Sequence, residues 1–350
     1  MRFFLAFLIL CGAAVGLYFA AAKEESVLEL TLSELREKYS NDESQFVDID
    51  GVDLHYVDTG KGPAIVFIHA SYLNLESWNG LVEGLGEEFR TIRFDLPGAG
   101  ISGLETKPLP DGGFDMVERQ YELLRLLIDR LDVDRFVLVG TSSGGTIAYR
   151  YAARHPDRVS RLILINSAGM PRTPQTNPLR SNAEFKKKWA DLDVKPREYW
   201  AQSLSRNFTS ANSPPDWLID QAYDFQRRVD LKKRRAAAYR FQTGDVRNVL
   251  SKIRSPTMIM WGKENPTVVH LEADVIEHWM TGAPTILRKY TGLGHYPYIE
   301  DLGAILPDIR SFLNGDLDGD LRQTIRARVV GPQASRPDQH SQTEVDKNDS

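Results

Sequence analysis

Short apolar runs alternate with longer amphipathic segments along most of this chain. The apolar runs are rich in β-branched residues, which is typical of strands buried in a sheet. They predict strands at 45–49, 52–58, 64–68, 91–96, 135–139, 161–166, 257–261 and 284–290. The amphipathic segments predict helices at 77–89, 116–131, 146–154, 271–279 and 302–313. This alternation indicates an α/β fold, with a mostly parallel central sheet covered by helices and ligands bound at the carboxyl ends of the strands.

A long interruption separates the sixth predicted strand, which ends at Asn166, from the seventh, which starts at Thr257. Helical patterns at 184–191 and 219–240 within it predict a helical cap. After the seventh and eighth strands the chain becomes polar, as disordered segments are. The predicted units are a core at 40–167 and 252–314, a helical cap at 168–251 and a disordered polar tail at 315–350.

The N-terminal segment 1–22 is of a different kind. Residues 3–22 carry no charge, and about 20 apolar residues are enough for a helix to cross a bilayer core. Arg2 precedes them, which favours a cytoplasmic N-terminus and an exported body. Residues 20–22 resemble a cleavage site, but signal peptides have shorter apolar cores of about 7–15 residues. We therefore favour a single-pass membrane anchor, with the folded domain on the periplasmic or extracellular side, over secretion after cleavage.

Composition limits the kinds of binding partner and cofactor that we expect. The chain has 350 residues and a net charge of -5 at pH 7, which gives no reason to expect nucleic acid. The only cysteine, Cys11, lies in the N-terminal segment, so the folded part is expected to lack disulfides and thiolate metal sites. The sequence has no glycine-rich phosphate loop, and we expect neither a metal nor an organic cofactor. The oligomeric state stays open.

The predicted cap differs from the rest of the chain in charge. It has about twice as many Lys and Arg as Asp and Glu, in a chain that is acidic overall. The cations cluster at 186–188 and at 232–235. Such clusters are usually solvated helix faces. The alternative is a surface that lies on anionic lipid headgroups, which an N-terminal anchor would bring within reach.

The stretch 138–145, Leu-Val-Gly-Thr-Ser-Ser-Gly-Gly, places the pattern Gly-x-Ser-x-Gly at the junction of a predicted strand and helix. A serine there lies on a turn so sharp that neighbouring side chains would collide, and Gly140 and Gly144 remove that collision. The turn holds Ser142 Oγ clear of the sheet and aims the amide of Ser143 at a developing oxyanion. The pattern therefore predicts that Ser142 is a nucleophile.

Further motifs follow other strands in a characteristic order. They are His69-Ala70-Ser71, Asp95-Leu96-Pro97-Gly98-Ala99-Gly100, Trp261-Gly262 and Gly294-His295-Tyr296-Pro297. Together with the serine turn they resemble the α/β-hydrolase fold superfamily over residues 46–313. Within that superfamily the chain is most similar to membrane-anchored or exported bacterial serine hydrolases with a helical lid.

The resemblance implies roles for individual residues. His295 would be the general base that activates Ser142, because a serine hydroxyl alone is a weak nucleophile. The backbone amides of Ser71 and Ser143 would bind the oxyanion. Ala70 stands where the family usually has a glycine, and this departure bears on the path of the Ser71 backbone.

The acid of the triad is the larger departure. In the family, Trp-Gly-x-x-Asp supplies the carboxylate that orients the histidine, and this chain has Asn265 in the expected position. The alternative position, after the strand that follows the serine turn, also holds an amide, Asn166. An amide cannot stabilise an imidazolium, and losing the triad carboxylate costs roughly 10⁴ in turnover. Glu264, one residue before Asn265, is the favoured candidate for the acid, and Asn265 itself is the alternative.

The leading hypothesis is a hydrolase that cleaves an ester or similar acyl bond of a small or lipid-like substrate through an acyl-enzyme on Ser142. A carbon–carbon bond hydrolase using the same residues is a close alternative. From another class, a non-catalytic membrane-anchored binding protein that kept the fold and lost its acid also fits. The sequence leaves the substrate and its acyl chain length open.

Overall fold

The computed structural model describes residues 29–107, 114–171, 183–192, 194–231 and 239–321. A sheet of eight strands runs through them. The strands are β1 (Gln45–Ile49), β2 (Val52–Thr59), β3 (Ala64–Ile68), β4 (Arg90–Phe94), β5 (Phe136–Thr141), β6 (Val159–Ile165), β7 (Thr257–Gly262) and β8 (Thr285–Tyr290). Their order in the sheet is β1-β2-β4-β3-β5-β6-β7-β8. Only β2 runs against its neighbours, β1 and β4, so the predicted mostly parallel sheet is confirmed.

The central strands are the most apolar runs of the sequence. Every residue of β3, β5 and β7 is buried, because helices cover both faces of the sheet. At the edge, β1 is largely exposed and pairs with β2 as the predicted hairpin, with Ile49 opposite Val52. Since β3, β5, β6 and β7 are parallel, the loops that follow them meet at one edge of the sheet.

Helices fill the spaces between the strands. They are α1 (Leu32–Tyr39), α2 (Asn79–Leu85), α3 (Met116–Arg130), α4 (Ser143–Arg154), α5 (Ala183–Lys188), α6 (Arg197–Ser205), α7 (Asp216–Gln226), α8 (Val246–Ser251), α9 (Leu271–Trp279), α10 (Pro297–Glu300) and α11 (Leu302–Asn314). One hydrophobic core joins the sheet to α3, α4, α8 and α9, and a second joins its other face to α2, α6, α7, α10 and α11.

The core extends beyond the predicted boundaries at both ends. Helix α1, before residue 40, begins with a capping box at Thr31 and buries Leu35. Residues 315–321 belong to the predicted polar tail, but they pack on the sheet. Leu321 is buried there, and Asp318 pairs with Arg161 on β6 at 2.9 Å. An apolar contact and an ion pair therefore hold the residues after the last predicted helix on the core.

The described part of the insertion between β6 and β7 contains the helices α5, α6, α7 and α8. Its longest predicted helix, 219–240, instead ends at Gln226. Arg228 turns inward two residues later and is 2% exposed, because its guanidinium donates to the carbonyls of Gly100 and Ser102. These long-range hydrogen bonds outweigh the local helical pattern.

The predicted anchor, 1–22, and residues 322–350 of the predicted tail lie outside the described residues. Among the helices that are described, none combines the length and the apolar character needed to span a bilayer.

Candidate active site

Ser142 lies on a sharp turn between β5 and α4. Its backbone has φ 50° and ψ -121°, a strained conformation for a residue with a side chain. A Cβ on Gly140 would come within 2.6 Å of the Gly144 carbonyl oxygen, and one on Gly144 would come within 2.5 Å of the His69 carbonyl oxygen. The two glycines therefore permit a backbone approach that no larger residue allows. Ser142 is half-buried at the carboxyl edge of the sheet.

The structure brings Ser142 and His295 together. Ser142 Oγ lies 3.1 Å from His295 Nε2, which is within hydrogen-bond reach. His295 follows β8 on a loop and is 2% exposed. The His295 backbone N–H donates to the carbonyl of Asn207 at 2.7 Å, so the insertion helps to hold this loop.

Glu300 also holds the histidine loop, a role that the sequence analysis missed. Its carboxylate accepts hydrogen bonds from the backbone N–H groups of Gly294 and Tyr296, at 3.0 and 3.1 Å. A carboxylate in the first turn of a helix commonly bonds back to the free N–H groups before that turn. The short spacing from Tyr296 to Glu300 is the signal that could have identified it.

Asn265 occupies the far side of His295. It is 4% exposed, and its Oδ1 lies 3.1 Å from His295 Nδ1. The same oxygen accepts the backbone N–H groups of Thr267 at 2.9 Å and Val268 at 3.0 Å. Because N–H groups only donate, they fix which end of the carboxamide is oxygen. The imidazole Nδ1 must then carry the proton, which leaves the Nε2 lone pair facing Ser142.

The structure does not bring Glu264 to His295. Glu264 is exposed, and its carboxylate accepts the backbone N–H of Gly292 at 2.8 Å. A turn closed by the Asn265 N–H and the Gly262 carbonyl points these two consecutive side chains to different sides. The position for which Glu264 was favoured is therefore taken by Asn265.

Asn166, the second amide that replaces an expected acid, holds backbone rather than the imidazole. It is fully buried, with its Oδ1 accepting the N–H of Gly262 at 3.1 Å. Its Nδ2 donates to the carbonyls of Gly294 and His295 at 3.0 and 2.9 Å. Asn166 thus joins the ends of β6 and β7 to the histidine loop.

Electrostatics make His295 a weak base. Burial lowers the pKa of the His295 imidazole to about 3, and no carboxylate of the described residues opposes this effect. The imidazole is therefore neutral at ordinary pH and has the tautomer that can accept a proton from Ser142. Once protonated, the imidazole faces the neutral amide of Asn265, which cannot act as its counterion.

The loop after β3 brings Ser71 into contact with Ser143. The Ser71 backbone N–H donates to Ser143 Oγ at 2.9 Å, and the two hydroxyl oxygens are also 2.9 Å apart. Ala70 needs no left-handed backbone, so its substitution for glycine is accommodated. Tyr72 has the positive φ, 66°, in this loop. His69 anchors the loop by accepting the Leu96 N–H at 2.9 Å.

A cavity of about 450 Å³ opens beside these serines, and Ser71 and Ser143 are both part of its wall. The insertion contributes Phe225, Gln226, Leu231 and Phe241 to its wall. The insertion also contacts the neighbouring loops: the rings of Tyr72 and Trp200 are 6.3 Å apart, and those of Phe208 and Tyr296 are 5.8 Å apart. Within the described residues, no group of three or more His, Cys, Asp or Glu side chains could hold a metal ion.

The fold agrees with that of known proteins. A family model described as alpha/beta hydrolase fold matches residues 63–302. The chain is 27% identical over 263 residues to the pimeloyl-[acyl-carrier protein] methyl ester esterase of Nitrosomonas europaea, which covers 70% of this chain and 94% of the esterase. It is 22% identical over 326 residues to epoxide hydrolase 1 of Caenorhabditis elegans, which covers 84% of this chain and 76% of that hydrolase.

Among solved structures, a bacterial membrane phospholipase A is similar to this chain, with a TM-score of 0.60 and 24% sequence identity. The match covers 90% of this chain and 98% of the phospholipase chain. At that identity the likeness is one of fold.

Proposed function

Since this chain belongs to the alpha/beta hydrolase fold family, we propose that it cleaves an ester or similar acyl bond through an acyl-enzyme on Ser142. The observation that carries the proposal is the continuous chain of hydrogen bonds from Ser142 Oγ through His295 to Asn265. An ester hydrolase among the relatives supports the choice of bond. Ser142 at the nucleophile position favours acyl transfer over chemistry that needs a carboxylate nucleophile.

The proposed reaction has two halves. Ser142 Oγ attacks the carbonyl carbon while its proton passes to His295 Nε2, and a tetrahedral oxyanion forms. The intermediate collapses to the acyl-enzyme as the C–O bond breaks, and the alcohol takes the proton from Nε2. Water then attacks the acyl carbon, gives a proton to Nε2, and releases the acid as Ser142 regains its proton.

The oxyanion would be bound by the backbone N–H groups of Ser143 and Ser71. In the structure the Ser71 N–H donates to the Ser143 hydroxyl. We propose that the substrate oxygen displaces this hydroxyl and takes over the hydrogen bond. Because His295 lacks a counterion, these preorganised donors would supply much of the transition-state stabilisation.

Asn265 would act as the positioning residue of the triad. Its oxygen holds the productive tautomer of His295, and backbone N–H groups hold that oxygen. What the amide cannot supply is the negative charge that stabilises the imidazolium. The proposed enzyme is therefore correctly assembled and slower than one with a carboxylate there.

We also propose that the insertion is a cap over the pocket and that residues 3–22 anchor the protein in a membrane, with the hydrolase domain on the exported side. Aromatic contacts of the insertion with the loops of Ser71 and His295 support the cap, and the uncharged length of 3–22 supports the anchor. Alkaline carbonate should leave the full-length protein in the membrane. Release of a chain that begins at Lys23 would show cleavage instead.

A fluorophosphonate probe and short p-nitrophenyl esters test the hydrolytic proposal. The purified protein should react with the probe and hydrolyse the esters, and Ser142→Ala should abolish both activities. Ser251→Ala, which changes a serine on α8, is the matched control and should behave like the parent. A parent protein that neither reacts nor hydrolyses, while Asn265→Asp does both, would favour the non-catalytic binding protein.

A further inference from the structure

Gln120 is one of four polar side chains that line the cavity besides the two serines, and the others are His69, Tyr72 and Gln226. Gln120 lies on the buried face of α3 and is 8% exposed. It is part of the same cavity wall as Ser71 and Ser143. Among the described residues, no side chain or backbone group forms a hydrogen bond with its carboxamide.

The neighbours of Gln120 on the helix contrast with it. Arg119 pairs with Glu105 at 2.5 Å. The hydroxyl of Tyr121 lies 2.8 Å from Nε2 of His155. A carboxamide that loses its water without gaining a partner costs free energy, so a ligand that fills the cavity must form a hydrogen bond with Gln120.

The rest of the cavity wall restricts the chemistry of the remainder of the ligand, beyond the group that bonds Gln120. Most of the side chains that line it are apolar: Leu73, Leu96, Met116, Phe225, Leu231 and Phe241. None of the described lining residues is Asp, Glu, Lys or Arg. A charged group would lose its hydration there without a counterion, and a plain hydrocarbon would leave Gln120 unpaired.

We infer that Gln120 selects an acyl group that is apolar over most of its length and carries one uncharged hydrogen-bonding group, an amide or a hydroxyl. The inference rests on the proposed function, because the acyl chain enters this cavity from a carbonyl held at Ser71 and Ser143. A carboxamide both donates and accepts, so it pairs with either group. A site with a buried polar group rejects the analogue that lacks the partner more strongly than it rejects a change in chain length.

The test is a series of p-nitrophenyl esters of equal chain length. One ester has a plain hydrocarbon chain, and the others have one hydroxyl or one amide moved stepwise along the chain. We expect one polar position to exceed the hydrocarbon ester at least tenfold in kcat/KM, and Gln120→Leu to reverse that preference. Gln45→Leu, on the exposed edge strand β1, should keep the preference of the parent.

A preference for the hydrocarbon ester over every polar ester would overturn the inference. So would a Gln120→Leu protein in which all esters slow equally, since that result indicates a structural role. Calorimetric binding of the non-hydrolysable amides of the same acids to Ser142→Ala separates selection from catalysis. Turnover without selective binding leaves the hydrolytic proposal standing and removes this one. If the parent has no turnover, but binding is selective and Gln120→Leu abolishes it, the hydrolytic proposal fails and this inference stands.

Discussion

The two sides of the active site are built by different means. On the serine side, Ser142 and the two glycines flanking it lie within one strand–turn–helix unit, and steric crowding of backbone atoms forces the geometry. On the histidine side, His295 and Asn265 come from loops after two different strands. Backbone donors, Asn166 and a carbonyl from the insertion hold those loops together.

The difference shows where each side can tolerate change. The serine turn has no spare space, so its residue types are dictated locally. The histidine side depends on which hydrogen-bonding atoms face one another, and a carboxamide oxygen satisfies that requirement as well as a carboxylate oxygen does. The hydrogen-bond geometry is therefore kept on both sides, but on the histidine side Asn265 does not supply the negative charge of a carboxylate.

The largest effect that we expect comes from removing Ser142 or His295, the pair that joins the two sides. Ser142→Ala and His295→Ala should each lower kcat by about 10⁴-fold or more, because attack needs both nucleophile and base. The double variant should be no slower than either single variant, as for residues that act as a unit. Single-turnover measurements with an aryl ester check this, and a double variant slower by the product of the two effects would contradict it.

Breaking the serine turn alone should come next. Gly144→Ala places a Cβ against the backbone carbonyls of Ile68 and His69, which cannot move without shifting β3. We expect a loss of about 2–3 kcal/mol in the free energy of unfolding and a fall of about 100-fold in kcat, the size of losing one oxyanion donor. Gly319→Ala, where an added Cβ meets nothing within 4 Å, is the control. Equal effects of the two substitutions in denaturant melts would argue against the steric explanation.

Restoring a negative charge beside His295 should increase activity, whereas the previous substitutions decrease it. Asn265→Asp places a carboxylate at His295 Nδ1, which stabilises the imidazolium, and kcat/KM near pH 8 should rise about tenfold or more. Glu264→Gln is the control. Its carboxylate faces Gly292, and we expect a change of less than about twofold, within the usual range for surface substitutions.

The same variant should change the pH profile. In the parent, burial lowers the pKa of His295 to about 3, so the base stays unprotonated and kcat/KM should be flat from about pH 5 to pH 8. The new carboxylate raises the pKa of His295, and the acidic limb of Asn265→Asp should therefore move to higher pH. Profiles that coincide would show that Asn265 does not orient this imidazole.

The smallest effect concerns the oxyanion site. Ser143→Ala removes the hydroxyl that accepts the Ser71 N–H and leaves both backbone donors in place. The substrate oxygen would then displace no protein hydrogen bond, and we expect kcat/KM to rise about two- to tenfold. A fall in kcat of similar size to that for losing a donor would show that the hydroxyl itself binds the oxyanion.

The sequence by itself determined the elements whose causes are local. Buried strands read as apolar runs, and the hairpin of β1 and β2 and the serine turn carry their own residue signatures. The order of those elements then indicated a mostly parallel sheet, which placed Ser142, Ser71 and His295 at one edge before any contact was known. Composition and spacing were enough because chain connectivity and backbone sterics decide these features.

Tertiary structure alone decided the features that depend on long-range partners. Glu264 and Asn265 are adjacent in sequence, but they have different long-range partners. The Glu264 carboxylate accepts the Gly292 N–H, whereas Asn265 faces His295. Helix α7 stops early because Arg228 finds carbonyls that lie far away in the chain. In each case the deciding energy is a hydrogen bond to a backbone group from another part of the chain, and no local pattern encodes where that group lies.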